Sequence, residues 1–288
     1  MKNIIQIFLF VALFANNVSV FAQESVYHTF KDTRVINVQT VEMIPHGKMD
    51  FRIGHRFGDL VGENGGWDTF YGLEQVSDVT FGFEYGFKPN ITLGLHRTKG
   101  AGPLRSNVFG FSKYQVIQQG KNGMPVTATV LGMLSMGAKS RDADVASLQY
   151  FEKFSHRLTY GLQLLVAHKF SNRFSLQLIP GYTHRNIVYY DDQNGIFSMG
   201  AAAKIQLTKS SGIILDATFP FSKKTYDGVV RTPALGIGWE IETGGHVFQL
   251  NFTNARGINE TDYIPYTSTK WSKGEFRFGF TVARRFSI

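Results

Sequence analysis

The sequence predicts an all-β protein: a single transmembrane, up-and-down antiparallel β-barrel of about 12 strands. Three observations carry that expectation. Apolar side chains take every second position in run after run of roughly ten residues, which is the pattern of strands whose two faces meet different surroundings. The connections alternate between long and short, so the long loops gather at one end of a barrel and the tight turns at the other. Outside residues 4–20 no stretch approaches the roughly 18 to 20 apolar residues that a spanning helix requires, which leaves strands to do the crossing.

The first element is a targeting segment. Lys2 supplies a positive start, residues 4–20 are largely apolar, and Val20-Phe21-Ala22 offers a small-residue cleavage site. Residues 1–22 are thus expected to be a signal peptide, with the mature chain starting at Gln23. No cysteine follows it, so a lipoprotein anchor is not expected. Residues 23–47 are mixed, with a β-like run at 35–41 and a break at Pro45, and form a lead-in to the barrel at 48–288.

From there the strands follow in order. Residues 48–57 alternate cleanly, with Met49, Phe51, Ile53 and Phe57 on one face and Asp50, Arg52 and Arg56 on the other. After a glycine-rich loop at 58–77, residues 78–88 set Val79, Phe81, Phe83, Tyr85 and Phe87 against Thr80, Gly82, Glu84 and Gly86. Lys88-Pro89-Asn90 turns the chain into Ile91, Leu93 and Leu95, opposed by Thr92, Gly94 and His96. The runs 107–118 and 125–137 alternate less cleanly. Beyond the charged loop 138–155, Leu158, Tyr160, Leu162, Leu164 and Val166 lead through a short polar turn to Phe174, Leu176, Leu178, Pro180 and Tyr182, the clearest hairpin in the chain.

Residues 196–207 and 212–221 pair across a tight turn at 208–211, and Leu235, Ile237, Trp239 and Ile241 reach Thr243-Gly244-Gly245, where a hairpin needs positive φ. Phe248, Leu250 and Phe252 follow, and a last loop from 254 leads to the closing run 275–286. Counted from Lys48 this makes twelve strands, with both barrel ends on the periplasmic side.

A soluble sandwich would show the same period with its apolar face turned inward. Strand length favours the membrane, since soluble strands usually run to about five or six residues. So do aromatics near strand ends, among them Phe81, Tyr85, Phe174, Tyr182, Phe276 and Phe286, where interfacial girdles belong. The aromatic alternation of the last strand is also the kind of ending that barrel-assembly machinery reads. Lipid and that machinery are therefore the expected partners.

Composition narrows the chemistry. Cysteine is absent from all 288 residues, which removes disulfides, thiol nucleophiles and cysteine metal sites. The net charge of +8 comes from lysines and arginines scattered singly, a pattern of solvated or lumen-facing charge with no nucleic-acid partner. If the apolar set faces lipid, then Arg52, Arg56, Glu84, His96, Gln163, Gln177, Asp216, Glu240 and Arg277 face the lumen. Twelve strands enclose a narrow space. These side chains either pair across it or line a thin path for a small polar or anionic solute.

No catalytic residue, metal site or cofactor is expected. His55, His96, His156, His168, His184 and His246 lie on different strands and turns without metal-ligand spacing. Ser155-His156 and Thr183-His184 raise a lipid-directed hydrolase as a remote alternative, without a G-x-S-x-G elbow. A sealed structural or adhesion barrel is the nearer alternative to a channel.

The runs Phe70-Tyr71-Gly72-Leu73, Phe83-Glu84-Tyr85-Gly86, Lys113-Tyr114, Ser155-His156-Arg157-Leu158, His184-Arg185-Asn186, Gly244-Gly245-His246-Val247-Phe248-Gln249-Leu250 and Glu275-Phe276-Arg277-Phe278-Gly279-Phe280 together resemble a Bacteroidota outer-membrane β-barrel family of unknown function. The resemblance spans about residues 45–288. It implies one barrel in the outer membrane and brings no substrate or catalytic residue with it.

Overall fold

Why strands of this composition close on themselves follows from their backbone. In hydrocarbon every N–H and C=O must be paired within the protein, and a sheet achieves that only by joining its first strand to its last. The computed structural model describes residues 28–222 and 228–288, so the expected signal peptide lies outside the described residues. Among them twelve strands form a closed barrel. In chain order they are β3 (Lys48–Phe57), β4 (Val76–Lys88), β5 (Ile91–Thr98), β6 (Asn107–Ile117), β7 (Thr127–Gly137) and β8 (Leu158–Lys169), then β9 (Phe174–Arg185), β10 (Gly195–Gln206), β11 (Ser211–Phe221), β12 (Ala234–Thr243), β13 (His246–Thr253) and β14 (Arg277–Ser287). Every neighbour is antiparallel, and β14 closes on β3 with Phe280 opposite His55 and Val282 opposite Ile53.

The side-chain period then decides which face is wet. Leu162 is 58% exposed and Leu95 61%, and Phe81, Trp239 and Leu250 are exposed beside them on the outer surface. Asp50, Arg52 and Arg56 are buried on the alternate positions of β3. A soluble barrel would show the reverse, so the apolar band is a lipid-facing surface. Among the described residues no helix is long and apolar enough to cross a membrane.

Tight turns end one side of the barrel. Thr243 pairs with His246 across Gly244 and Gly245, whose φ values are 50° and 122°, a conformation that costs glycine little. At the other end the long loops fold inward, and the one expected between β13 and β14 carries a short helix, α1 (Glu260–Tyr266), with all but its last residue buried.

β6 and β7 show why their alternation reads poorly in the sequence. Their inner faces mix the apolar Phe109, Phe111, Leu131 and Met133 with polar residues such as Lys113 and Thr129, so the two faces of these strands contrast only weakly.

Candidate functional site

The barrel interior is occupied by the chain's own lead-in. Residues 29–44 lie inside, with a small hairpin of β1 (Arg34–Val35) and β2 (Val38–Gln39), and residues 29–42 are almost entirely buried. The segment both enters and leaves at the turn end. Lys31 Nζ meets Glu242 Oε2 at 2.7 Å, the Lys169 ammonium donates to the His28 carbonyl at 3.0 Å, and the Gly47 N–H donates to the Gly86 carbonyl at 3.0 Å. The wall is cut back where the segment passes. A Cβ on Gly86 would sit 2.2 Å from the Pro45 oxygen, and one on Gly236 would sit 2.9 Å from Ile36.

A two-stranded hairpin leaves most of its backbone groups unpaired, and burial makes each one costly. Wall side chains supply the partners. The Lys113 ammonium donates to the carbonyls of Thr33, Thr40 and Glu42 at 2.9, 3.0 and 3.3 Å. Gln177 accepts from the Val41 N–H at 2.8 Å and donates to the Gln39 carbonyl at 2.8 Å. Gln249 donates to the Arg34 carbonyl at 2.7 Å, and Thr92 accepts from the Ile44 N–H at 2.9 Å. At the hairpin tip Ile36 has φ 41°, a strained value for a β-branched residue. Asp216 holds this tip by accepting from the Asn37 backbone at 2.6 Å and from its amide side chain at 2.7 Å.

All nine residues expected at the lumen are buried. Arg52 joins the inserted Asp32, with one guanidinium nitrogen at 2.8 Å, to Glu84 on the wall at 3.1 Å. His96 lies 3.5 Å from the same Glu84. Arg56 bridges three parts of the chain, donating to Asn37 Oδ1 at 2.6 Å, to Ile36 and to the Gly257 carbonyl of the β13–β14 loop. Glu240 pairs with Lys204 and accepts from Gln249 at 3.2 Å, while Arg277 reaches Asp59 at 3.2 Å. Gln163 has a buried Oε1 without a protein partner. The structure therefore brings Arg52, Glu84 and His96 into one cluster, sets Arg56, Gln177 and Asp216 against the inserted segment, links Glu240 to Asp32 through Gln249, and leaves Gln163 and Arg277 apart from both.

Sequence reasoning did not find the inserted partners Asp32, Thr33, Arg34 and Asn37, because nothing in a mixed lead-in marks it as interior. It also left out Lys113, whose position opposite Tyr114 in an alternating run is the signal that would have shown it. Arg34 continues the network outward: its guanidinium grips both Glu260 oxygens, at 2.7 and 2.6 Å, and so joins the hairpin to α1.

The outer mouth is roofed by α1 and neighbouring loops. Asp262 accepts the backbone N–H groups of Ala101 and Gly102, each at 2.7 Å. Burial, and after it the neighbouring Asp78, push the Asp262 carboxyl up to about 7. Burial disfavours the charge of Asp192 too, but hydrogen bonds from Arg185 and Arg231 hold that carboxyl below the usual range. A cavity of about 530 Å³ opens between these loops, bordered by Arg105, Gln149, Tyr189, Arg256 and Tyr266. Deeper down a cavity of about 10 Å³ lies between Arg34, Arg52, His96 and Thr281.

The histidines are dispersed. His55 faces outward, stacks on Phe280 at a ring separation of 5.6 Å and packs at a tilt against Phe57 at 4.2 Å. His168 lies 2.6 Å from the Pro125 carbonyl at a turn, and His246 stacks on Phe248. Near the outer rim His184 packs beside Tyr160 and Tyr182, and His156 sits in a short turn of 3₁₀ helix.

Comparison with known proteins agrees with this architecture. The NanC porin is 7% identical, with a TM-score of 0.50 over 83% of this chain and 100% of that one. An outer-membrane channel from Pseudomonas putida F1 is 12% identical, with a TM-score of 0.54 over 85% of this chain and 98% of that one. At such identities the likeness is one of fold. No curated protein sequence matches the chain. A closed antiparallel barrel with an exposed apolar band is the form that outer membranes hold. The family model described as a membrane-bound beta barrel domain (DUF5777) matches residues 30–286, nearly the whole chain and the inserted hairpin with it, and the protein belongs to that family.

Proposed function

We propose that the protein is a narrow outer-membrane channel for small polar or anionic solutes, closed in this conformation by its own residues 28–47 and by α1, with no enzymatic activity. The observation that carries the reading is the match between a polar wall and a separate inserted segment. A barrel that needed only stability could fill its interior with apolar side chains, because buried ion pairs are weak stabilisers next to well-packed hydrocarbon. Here Arg52, Arg56, Glu84, Gln177 and Asp216 are committed to a segment that starts and finishes at one mouth and could leave through it. We assign the nine predicted residues the role of lining the path so opened.

Buried polar atoms without protein partners, at Thr80, Gln163, Ser198 and Asn251, support a hydrated interior. The motif resemblance supports a source among the Bacteroidota and insertion by barrel-assembly machinery.

A second reading, a permanently sealed barrel, draws on one specific observation. Phe30, Val35, Val38 and Val41 of the inserted segment are at most 1% exposed and join the apolar wall in one core cluster. Conductance in planar bilayers separates the two. The channel reading expects rare, small openings from the full-length protein and frequent discrete steps from Arg52→Ala, which frees Asp32 and Glu84. Silence from both would leave the sealed barrel standing.

A further inference from the structure

The cavity at the outer mouth is built from loops far apart in the chain. The β5–β6 loop contributes Gly102 and Arg105, the β7–β8 loop Gln149, the β9–β10 loop Tyr189, and the β13–β14 loop Arg256 and Tyr266. Its volume, about 530 Å³, falls within the range of pockets that enclose a small organic molecule. Two arginines thus face one space.

Their surroundings set them apart from other arginines at this rim. Arg157 donates to the Gly137 carbonyl at 2.9 Å and lies over the Phe151 ring, and Arg185 and Arg231 share Asp192. Arg105 and Arg256 are exposed and, among the described residues, make no hydrogen bond or ion pair. No aspartate or glutamate borders the cavity. Asp262 of α1 attracts Arg105 through space, but its carboxyl oxygens are taken up by the Ala101 and Gly102 N–H groups. Two guanidinium side chains without hydrogen-bonded partners border one concavity that no carboxylate lines, and they leave a positive field that a ligand can neutralise.

The remaining walls favour a compact ring. Tyr189, Tyr266, Pro103 and Leu148 offer apolar faces, and the ring of Tyr266 is fixed against Arg185, whose guanidinium carbon is 5.2 Å from its centroid. The floor is held in place by the grip of Arg34 on Glu260.

We propose that this cavity binds a small soluble organic anion, a carboxylate or phosphate carried on a sugar-sized ring, with Arg105 and Arg256 clamping the anionic group and the tyrosines flanking the ring. The assignment deepens the channel reading by naming its class of solute. Binding is measured without transport, so a silent bilayer leaves the site intact and an empty site leaves conductance unexplained.

The test is calorimetric titration of the full-length barrel in non-ionic micelles at low salt, with glucuronate, glucose 6-phosphate and uncharged glucose as probes. Both anions are expected to bind, with glucose weaker by about tenfold or more. Arg105→Gln and Arg256→Gln should each weaken the anions several-fold, the double variant should abolish binding, and high salt should weaken it in the wild type. Since neither side chain holds another residue, the variants should keep the heat-dependent gel shift of the folded barrel. Equal binding of glucose, no binding of either anion, or undiminished binding by a folded double variant would overturn the site. Displacement of the probes by added lipopolysaccharide would move it to a lipid headgroup and overturn its assignment to a soluble solute.

Discussion

The wall from β6 to β10 and the wall from β12 round to β4 hold the same inserted segment by opposite means. The first presents Phe109, Phe111, Leu131, Met133, Leu165, Ile179 and Ile196. The second presents Asp50, Arg52, Arg56, Asp78, Glu84, Glu240 and Gln249. The segment is amphipathic to match, with Phe30, Val35, Val38 and Val41 in the apolar cluster and Asp32, Arg34 and Asn37 in the polar network. Apolar contact is non-directional and tolerates sliding. Charged hydrogen bonds have fixed partners and angles. Lys113 on β6 and Gln177 on β9 give the first wall directional hydrogen bonds as well, so that half combines adhesion with a few fixed contacts while the second half acts through position.

The strongest way to break that division is to unpair the polar half. Arg52→Ala leaves Asp32 and Glu84 buried without their cation and should cost about 3 to 5 kcal/mol in urea unfolding from micelles. A cost below about 1 kcal/mol, the worth of an exposed pair, would mean that water already screens the cluster. The apolar half answers next. Leu165→Ala, at a fully buried wall position, should cost about 2 to 4 kcal/mol yet leave single-channel behaviour at the wild-type level. If it opened the channel as readily as Arg52→Ala, adhesion and position would not be separable. A control on the lipid side follows. Leu162→Lys should cost about 2 kcal/mol in vesicles, and a neutral result would contradict the outward assignment of the mid-strand face.

The smallest effect concerns pH. Burial, then Asp78, raise the Asp262 carboxyl from 3.8 to about 7. Between those values the folded protein holds a proton that the unfolded chain has released. Stability attributable to this group is therefore full at low pH and falls as pH rises from about 4 to about 7. Asp262→Asn should flatten that slope, and parallel slopes for wild type and variant would refute the coupling.

How much of this was legible depends on what each strand separates. β3 and β4 part lipid from a polar interior, so their two faces differ in chemistry and their bounds could be read to within two residues or so. β6 and β7 turn a mixed face inward, with Phe109, Phe111, Leu131 and Met133 beside Lys113 and Thr129, and the contrast that makes a strand visible is weak there. The nine residues expected at the lumen occupy buried positions, which the alternation reveals because charge on the lipid face is costly. Their partners were not, since a short hairpin of Arg34–Val35 and Val38–Gln39 has too few residues to show a period. Arg105 and Arg256 are separated by about half the chain, and only the folding of two loops brings them to one cavity.

The sequence alone determined the closed sheet, its orientation toward lipid and the sorting of loops from turns, because all three follow from a period of two in a medium that tolerates neither unpaired backbone nor exposed charge. Tertiary structure alone decided that the lumen is filled, by which segment, and which ions meet. Those contacts join residues as remote as Arg34 and Glu260, and no local rule of chain geometry relates them.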